Sequence, residues 1–317
     1  MKATIDVKDQ TFYGRDFLTL LDYTPKQISQ LLDKAQDIKS NKAAYAEVLK
    51  GQSLGMIFEN ASTRTRVSFE VGMTQLGGHA LFLSPKDMQI GRGEPVKDTA
   101  HVLSRYVDAI MIRTNSHELV EELAEHASVP VINALTDYYH PCQAMADLLT
   151  ILEHKGSLKG LKLAYVGDGN NVAHSLLAAG AKVGMDISVA TPKGYEVNAT
   201  IFEKAQKAAE ETGASLMQTH DPLEAVKDAD VIYTDVWASM GFEQEQEDRL
   251  KQFSAYQVND QLIALAKDDF IFLHCLPAHR GEEVTSEVID GNRSVVYDQA
   301  ENRLHAQKAI ILALLGK

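Results

Sequence analysis

The chain has 317 residues, 45% of them hydrophobic and 24% charged, ordinary values for a globular protein long enough for about two domains. Its 31 basic and 44 acidic residues leave a net charge of −13. That balance argues against general nucleic-acid binding, because a phosphate backbone needs a basic face, but a few arginines in a cleft still suit a small anionic ligand. Two cysteines, Cys142 and Cys275, are too few for a secreted disulfide framework. The N-terminus lacks the apolar stretch of a signal peptide, and no apolar run approaches the roughly 18 residues of a membrane helix. A soluble cytoplasmic enzyme is expected.

Strand, loop and helix alternate along the chain without internal repeats, which predicts α/β architecture with mainly parallel sheets flanked by helices. Thr24-Pro25 reads as an N-cap and first-turn proline opening a helix over 25–38. Residues 53–58 read as a buried strand and 66–76 as a helix stopped by Gly77-Gly78. Strands follow near 80–83, 109–112 and 129–133, with helices near 97–105, 118–126 and 143–154. The polar segment 155–160 carries two glycines and is the expected joint, giving domains over 1–154 and 155–299. In the second half strands are expected at 161–166, 186–190, 215–219, 231–234, 270–274 and 294–297, before a final apolar helix near 301–315. Two such domains with a cleft between them would bind ligands beyond the carboxyl ends of their strands.

Ser62-Thr63-Arg64-Thr65-Arg66 lies between a buried strand and a helix. Free N–H groups and the positive dipole end at a helix N-terminus favour an anion, and hydroxyls with an arginine fork complete a phosphate cradle. Arg66, inside the helix, equally suits a structural ion pair. Arg113 ends an apolar strand, a place that fits either a site residue or a solvated end cap. His140-Pro141-Cys142-Gln143 opens a helix, where histidine and glutamine suit a carbonyl and an amide, or a histidine satisfied by local backbone.

Gly167-Asp168-Gly169-Asn170-Asn171-Val172 approaches a dinucleotide fingerprint, but Val172 replaces the third glycine. A tight turn displaying Asn170 or Asn171 is the better reading. Asp235 follows a strand and suits an ammonium group, with Ser239 and Met240 in the loop beyond; a polar loop around Trp237 is the alternative. Cys275, in His274-Cys275-Leu276-Pro277, suits a nucleophile or a pocket residue without covalent chemistry. Arg303, at the start of the last helix, suits an anion contact or an ion pair.

Together these segments resemble the carbamoyltransferase superfamily, and within it the ornithine carbamoyltransferases. Ser62–Arg66 matches the carbamoyl-phosphate signature, followed by Arg113 and His140–Gln143. Asp235 with Ser239-Met240-Gly241 resembles the ornithine-specific segment, and His274–Pro277 the ornithine-type element. The resemblance spans essentially the whole chain in family order. One departure is Asn60, where many relatives carry lysine.

The resemblance implies carbamoyl transfer from carbamoyl phosphate to the side-chain amine of L-ornithine, giving L-citrulline and phosphate. The first domain would bind carbamoyl phosphate and the second ornithine, with the final helix, 300–317, packing back on the first. Ser62, Thr63, Arg64, Thr65, Arg113 and Arg303 would hold the phosphate. Arg113, His140 and Thr65 would stabilise the oxyanion, and Gln143 with the backbone carbonyls at Cys275 and Leu276 would grip the carbamoyl NH₂. Asn171, Asp235, Ser239 and Met240 would hold ornithine, with Cys275 near the reacting amine. A homotrimer or an assembly of trimers is implied, with Gln89 reaching a neighbour's site. The departing phosphate accepts the proton and the arginines supply the positive charge, so no metal or cofactor is expected. Putrescine carbamoyltransferase is the nearest rival, and a nicotinamide-dependent dehydrogenase the rival from another class.

Overall fold

The computed structural model describes residues 11–84, 86, 88–89, 93–238 and 246–317. The chain divides into two compact units, one of residues Met1–Met145 with Arg303–Lys317, the other of Ala146–Asn302.

The first unit holds β1 (Ser53–Phe58), β2 (His79–Leu83), β3 (Ala109–Arg113) and β4 (Val131–Leu135), joined as a parallel sheet in the order β2-β1-β3-β4. Each crossover carries a helix, as parallel pairing requires. The helices are α1 (Pro25–Ser40), α2 (Thr63–Gln75), α3 (Val96–Leu103) and α4 (His117–His126). Thr24 caps α1 through a capping box with Gln27, as the Thr-Pro signal predicts. Buried Ile57, Ile110, Ile112 and Val131 form one core with Ala100 of α3 and Val120 and Leu123 of α4.

Helix α5 (Pro141–Lys155) begins in the first unit and continues into the second. There β5 (Lys162–Val166), α6 (Asn171–Val183), β6 (Asp186–Ala190), α7 (Ala199–Ala209), β7 (Leu216–Thr219), α8 (Pro222–Val226) and β8 (Val231–Thr234) follow. After them come α9 (Gln246–Phe253), α10 (Asp260–Ile263), β9 (Ile271–His274) and α11 (Ser286–Ile289). The second sheet is also parallel, in the order β7-β6-β5-β8-β9. Strands β5, β8 and β9 are largely apolar and buried, the pattern of a helix-covered parallel sheet, while the edge strand β7 is half-buried. The last helix, α12 (Val296–Leu314), begins in the second unit and ends in the first.

The strand expected at 294–297 is corrected. Ser294 makes only an isolated bridge to Phe272, and α12 has begun by Val296. The adjacent β-branched Val295 and Val296 mimic a strand, but β9 offers its outer edge for one bridge only. Helix α12 is clamped to α5 within the second unit, where the Asn302 amide donates to Thr150 Oγ1 at 3.0 Å and Glu153 Oε2 at 2.7 Å.

The turn after β5 needs glycine for space. A Cβ on Gly169 would lie 2.4 Å from the backbone of both Glu196 and Val197, and its N–H donates to the Tyr195 carbonyl at 2.9 Å. Gly169→Ala is therefore expected to lower the unfolding free energy by about 1–3 kcal/mol in urea titration. Unchanged stability would contradict this close backbone approach.

Candidate active site

In the first sheet three adjacent strands, β1, β3 and β4, lead into the residues singled out above. Beyond β1, Ser62 caps α2 in extended backbone, its Oγ accepting the Thr65 N–H at 3.3 Å. The Ser62 hydroxyl donates to Thr65 Oγ1 at 3.0 Å. Arg303 Nη2 donates to the same oxygen at 2.8 Å and Arg113 Nη1 at 3.4 Å. Thr65 is fully buried, and both arginines are nearly so. One hydroxyl thus gathers two guanidinium groups at a helix N-terminus, where any anion would meet donors and a favourable dipole.

His140 and Gln143 follow β4 at the opening of α5 and are both buried. Burial, and then the charges of Arg303, Arg113 and Arg64, push the His140 imidazole well below its usual pKa. It is neutral at physiological pH and able to polarise a carbonyl without adding charge. Arg64 is half-buried and Thr63 exposed in the first turn of α2. Arg66 is held elsewhere, its Nε 3.0 Å from Glu70 Oε1 and its guanidinium 3.9 Å over the Phe82 ring, which is the structural role. The Asn60 amide donates to Asn115 Oδ1 at 2.7 Å, bridging the ends of β1 and β3 without charge. Gln89 is exposed beyond β2, and no described hydrogen bond joins its side chain to the Thr65 group. Cys142 is a buried thiol pushed up to about 12 by burial, inert at neutral pH.

The second sheet repeats the arrangement at β5, β8 and β9. Asn170 caps α6, its Oδ1 accepting from the Val172 and Ala173 N–H groups at 2.9 and 3.2 Å. Its amide donates to Asp235 Oδ2 at 2.8 Å, while Asp235 Oδ1 accepts the Val236 N–H at 2.8 Å and the Cys275 thiol at 3.0 Å. Asn171 is the first residue of α6. Asp235 is therefore a buried carboxylate gripped from two neighbouring strand ends, suited to a cationic group. Ser239 and Met240 lie outside the described residues.

Two partnerships here leave no trace in local sequence. His274 Nδ1 accepts the Leu276 N–H at 2.8 Å, so its proton sits on Nε2, which faces buried Glu283 Oε1 at 3.2 Å. This holds Leu276 in the left-handed region, at φ 58°, an unfavourable conformation for leucine that turns the chain at the site. Glu283 stands in an acidic pair that reads as solvated surface. Arg249 Nη1 donates to Asp168 Oδ2 at 2.7 Å and to the Trp237 carbonyl at 2.8 Å, bracing the turn that carries Asn170. Burial nonetheless raises the Asp168 carboxyl above its usual pKa, outweighing Arg249.

The Cys275 thiol donates to the Asp235 carboxylate, while the His274 ring turns to Glu283, so His274 is not paired with Cys275 in the manner of a thiol–imidazole nucleophile. Among the described residues, Asp235, His274 and Cys275 offer ligand atoms within 4.8 Å of one another, as do His279, Glu282 and Glu283. In the first group the Nδ1 lone pair and the Nε2 proton of His274 are already engaged.

The buried His140 makes stability fall in acid. Above about pH 6.5 the imidazole is neutral in both folded and unfolded chains and contributes nothing to the pH dependence. Below it the unfolded chain takes a proton that the folded chain refuses, so stability falls by up to about 1.4 kcal/mol per pH unit. His140→Gln is expected to show a shallower loss of unfolding free energy between pH 7 and pH 5.5 than the wild type. An equal slope in both would refute the neutral buried imidazole.

Comparison with known proteins shows the family. Residues 15–153 match the family described as "Aspartate/ornithine carbamoyltransferase, carbamoyl-P binding domain", and residues 159–314 match "Aspartate/ornithine carbamoyltransferase, Asp/Orn binding domain". The chain is 73% identical over 305 residues to the ornithine carbamoyltransferase of Halalkalibacterium halodurans, covering 95% of each protein. Its fold matches the ornithine carbamoyltransferase from Pyrococcus furiosus with a TM-score of 0.93 and 57% identity, over 96% of this chain and 98% of that one. It matches the anabolic ornithine carbamoyltransferase from Campylobacter jejuni with a TM-score of 0.89 and 43% identity, over 94% of this chain and 97% of that one. An arginine cluster on a helix-capping segment, a clamped carboxylate beside a thiol, and relatives this similar over nearly their whole length identify the chain as a member of the aspartate/ornithine carbamoyltransferase family.

Proposed function

We propose that the protein transfers the carbamoyl group of carbamoyl phosphate to the side-chain amine of L-ornithine, giving L-citrulline and phosphate. The first domain takes carbamoyl phosphate and the second ornithine. The observation that carries this reading is the pairing, in one chain, of the Thr65-centred arginine group with the Asp235–Cys275 contact. One is chemistry for a phosphate dianion, the other for an amine.

Ser62, Thr63, Arg64 and Thr65 bind the phosphoryl oxygens, joined by Arg113 and Arg303. An incoming dianion replaces the Thr65 hydroxyl as the acceptor for these guanidinium groups. Arg113, the Thr65 hydroxyl and neutral His140 stabilise the oxyanion that forms on the carbamoyl oxygen; one such donor is typically worth about 10²–10³ in turnover. Gln143 and the carbonyls of Cys275 and Leu276 orient the carbamoyl NH₂. Asp235, with Asn171, Ser239 and Met240, holds ornithine, and Cys275 lies beside the reacting amine.

The free amine has a pKa near 10, so burial must favour its neutral form. The neutral nitrogen attacks the carbamoyl carbon, the C–N bond forms, and the bond from that carbon to the phosphate oxygen breaks. The nitrogen gives up a proton, which the departing phosphate accepts.

We further infer a cytoplasmic enzyme of arginine metabolism acting as a homotrimer or an assembly of trimers. No helix among the described residues is long and apolar enough to cross a membrane. Support for self-association comes from exposed Val67 and Val71, one turn apart on α2, and exposed Leu81 and Phe82 on the edge strand β2. Gln89 lies just beyond that strand, consistent with service in a neighbouring subunit.

Citrulline formation with ornithine is expected to exceed carbamoylation of putrescine or aspartate by about 10²-fold in kcat/KM, since putrescine lacks the α-carboxylate and aspartate the side-chain amine, and a site built for polar groups rejects analogues without them. Asp235→Asn is expected to lose about 10²-fold or more with ornithine. A preference for putrescine or aspartate, or an unaffected Asp235→Asn variant, would overturn the assignment of the second substrate.

A further inference from the structure

A buried amide outside the groups assigned above lies where the two acceptor-binding strands end. Strand β9 is the outer strand of its sheet. The outward N–H of Phe272 donates to the Arg293 carbonyl at 2.8 Å, and the Val295 N–H donates to the Phe272 carbonyl at 3.0 Å. Two residues on, where α12 has replaced extended chain, the outward N–H of His274 donates to the side-chain Oε1 of Gln299 at 2.9 Å. A side chain thus extends the edge ladder by one step, up to the residue before Cys275.

The other end of that amide is equally constrained. Gln299 Nε2 donates to Asp147 Oδ1 of α5 at 2.7 Å and to the Tyr233 hydroxyl oxygen of β8 at 3.1 Å. Gln299, Asp147, Tyr233 and His274 are all buried, Gln299 to 1% exposure. Two acceptors on one side and a backbone donor on the other admit a single orientation of the amide. Tyr233 lies two residues before Asp235, and His274 one before Cys275. The three hydrogen bonds therefore link the strand ends whose relative height sets the 3.0 Å thiol–carboxylate contact and the direction of the Leu276 carbonyl.

We propose that Gln299 is a positioning residue for carbamoyl transfer, holding the end of β9 in register with β8 so that Cys275, Leu276 and Asp235 present a fixed site to the amine. This rests on the proposed function. Gln299 touches no substrate and acts through the backbone of His274. Two of its three hydrogen bonds run to β8 and β9, so its loss is expected to fall mainly on the amine side and to leave phosphate binding largely intact.

Two variants separate these roles. Gln299→Met keeps the length and loses all three hydrogen bonds. The double variant Asp147→Asn/Gln299→Glu reverses the polarity and keeps them: the asparagine amide donates to the new carboxylate, which still accepts the His274 N–H and takes the Tyr233 hydroxyl proton. Steady-state kinetics with ornithine would be measured alongside calorimetric titration of inorganic phosphate and the rate of Cys275 alkylation. For Gln299→Met we expect kcat to fall by about 10²-fold, as misplacement of reacting groups does, with phosphate affinity kept within about twofold and Cys275 alkylated faster. The double variant should regain activity and the slow alkylation rate. Should Gln299→Met fail to fold, Tyr233→Phe, which removes one of the amide's acceptors, should lower kcat by about tenfold with phosphate affinity unchanged. Folded variants with unchanged kinetics, a loss of phosphate affinity matching the loss of turnover, or a folded double variant as impaired as Gln299→Met would each overturn the proposal. A wild type that makes no citrulline would instead defeat the proposed function, and the alkylation rates would still read the position of the strand end.

Discussion

Two buried guanidinium groups sharing one hydroxyl is the constraint on which the first unit turns. Arg303 and Arg113 both donate to Thr65 Oγ1, so the two charges lie close together in a region largely removed from water. At an effective dielectric of 20 and a separation of roughly 6 Å, such charges repel by about 3 kcal/mol. A neutral hydroxyl orients them without cancelling that repulsion; a dianion would do both. Such an arrangement suits an anion, which is the basis of the proposed phosphate assignment. The same charges, after burial itself, keep His140 neutral, so the electrostatics that would bind the anion also set the protonation of a group beside it.

The fold makes this arrangement affordable. Strand ends of a parallel sheet point the same way, so short loops after neighbouring strands converge without long excursions of chain. β1, β3 and β4 deliver Ser62–Thr65, Arg113 and His140, while β5, β8 and β9 deliver Asn170, Asp235 and Cys275. Opposite charges result from the same geometry. In the first unit hydroxyls and arginines surround a helix N-terminus; in the second, a carboxylate is gripped by an amide, a backbone N–H and a thiol.

Much of this was legible in the sequence where the chemistry is local. Ser62–Thr65 packs a cap, hydroxyls and an arginine into consecutive positions at a strand–helix junction, and Thr24-Pro25 announces a helix in the same way. Alternating strand and helix signals likewise predict parallel sheets. Contacts between distant residues were not legible as contacts. No spacing ties Thr65 to Arg303, Asp235 to Cys275, or His274 to Glu283, because each pair meets only after the sheets have formed. The strand expected at 294–297 failed for a related reason: β-branched residues favour a strand only if an edge pairs with them, and here α12 claims Val296 instead.

The central claim is that the Ser62–Thr65 segment with its arginines is a phosphate site, and calorimetric titration of inorganic phosphate tests it most directly. The wild-type protein should bind one phosphate per chain, with affinity falling as salt rises. Arg64→Met, which removes a half-buried cation from the first turn of α2 and leaves the Thr65 cluster in place, should bind about tenfold or more weakly with its fold intact. Equal phosphate affinity in the two proteins would contradict the account.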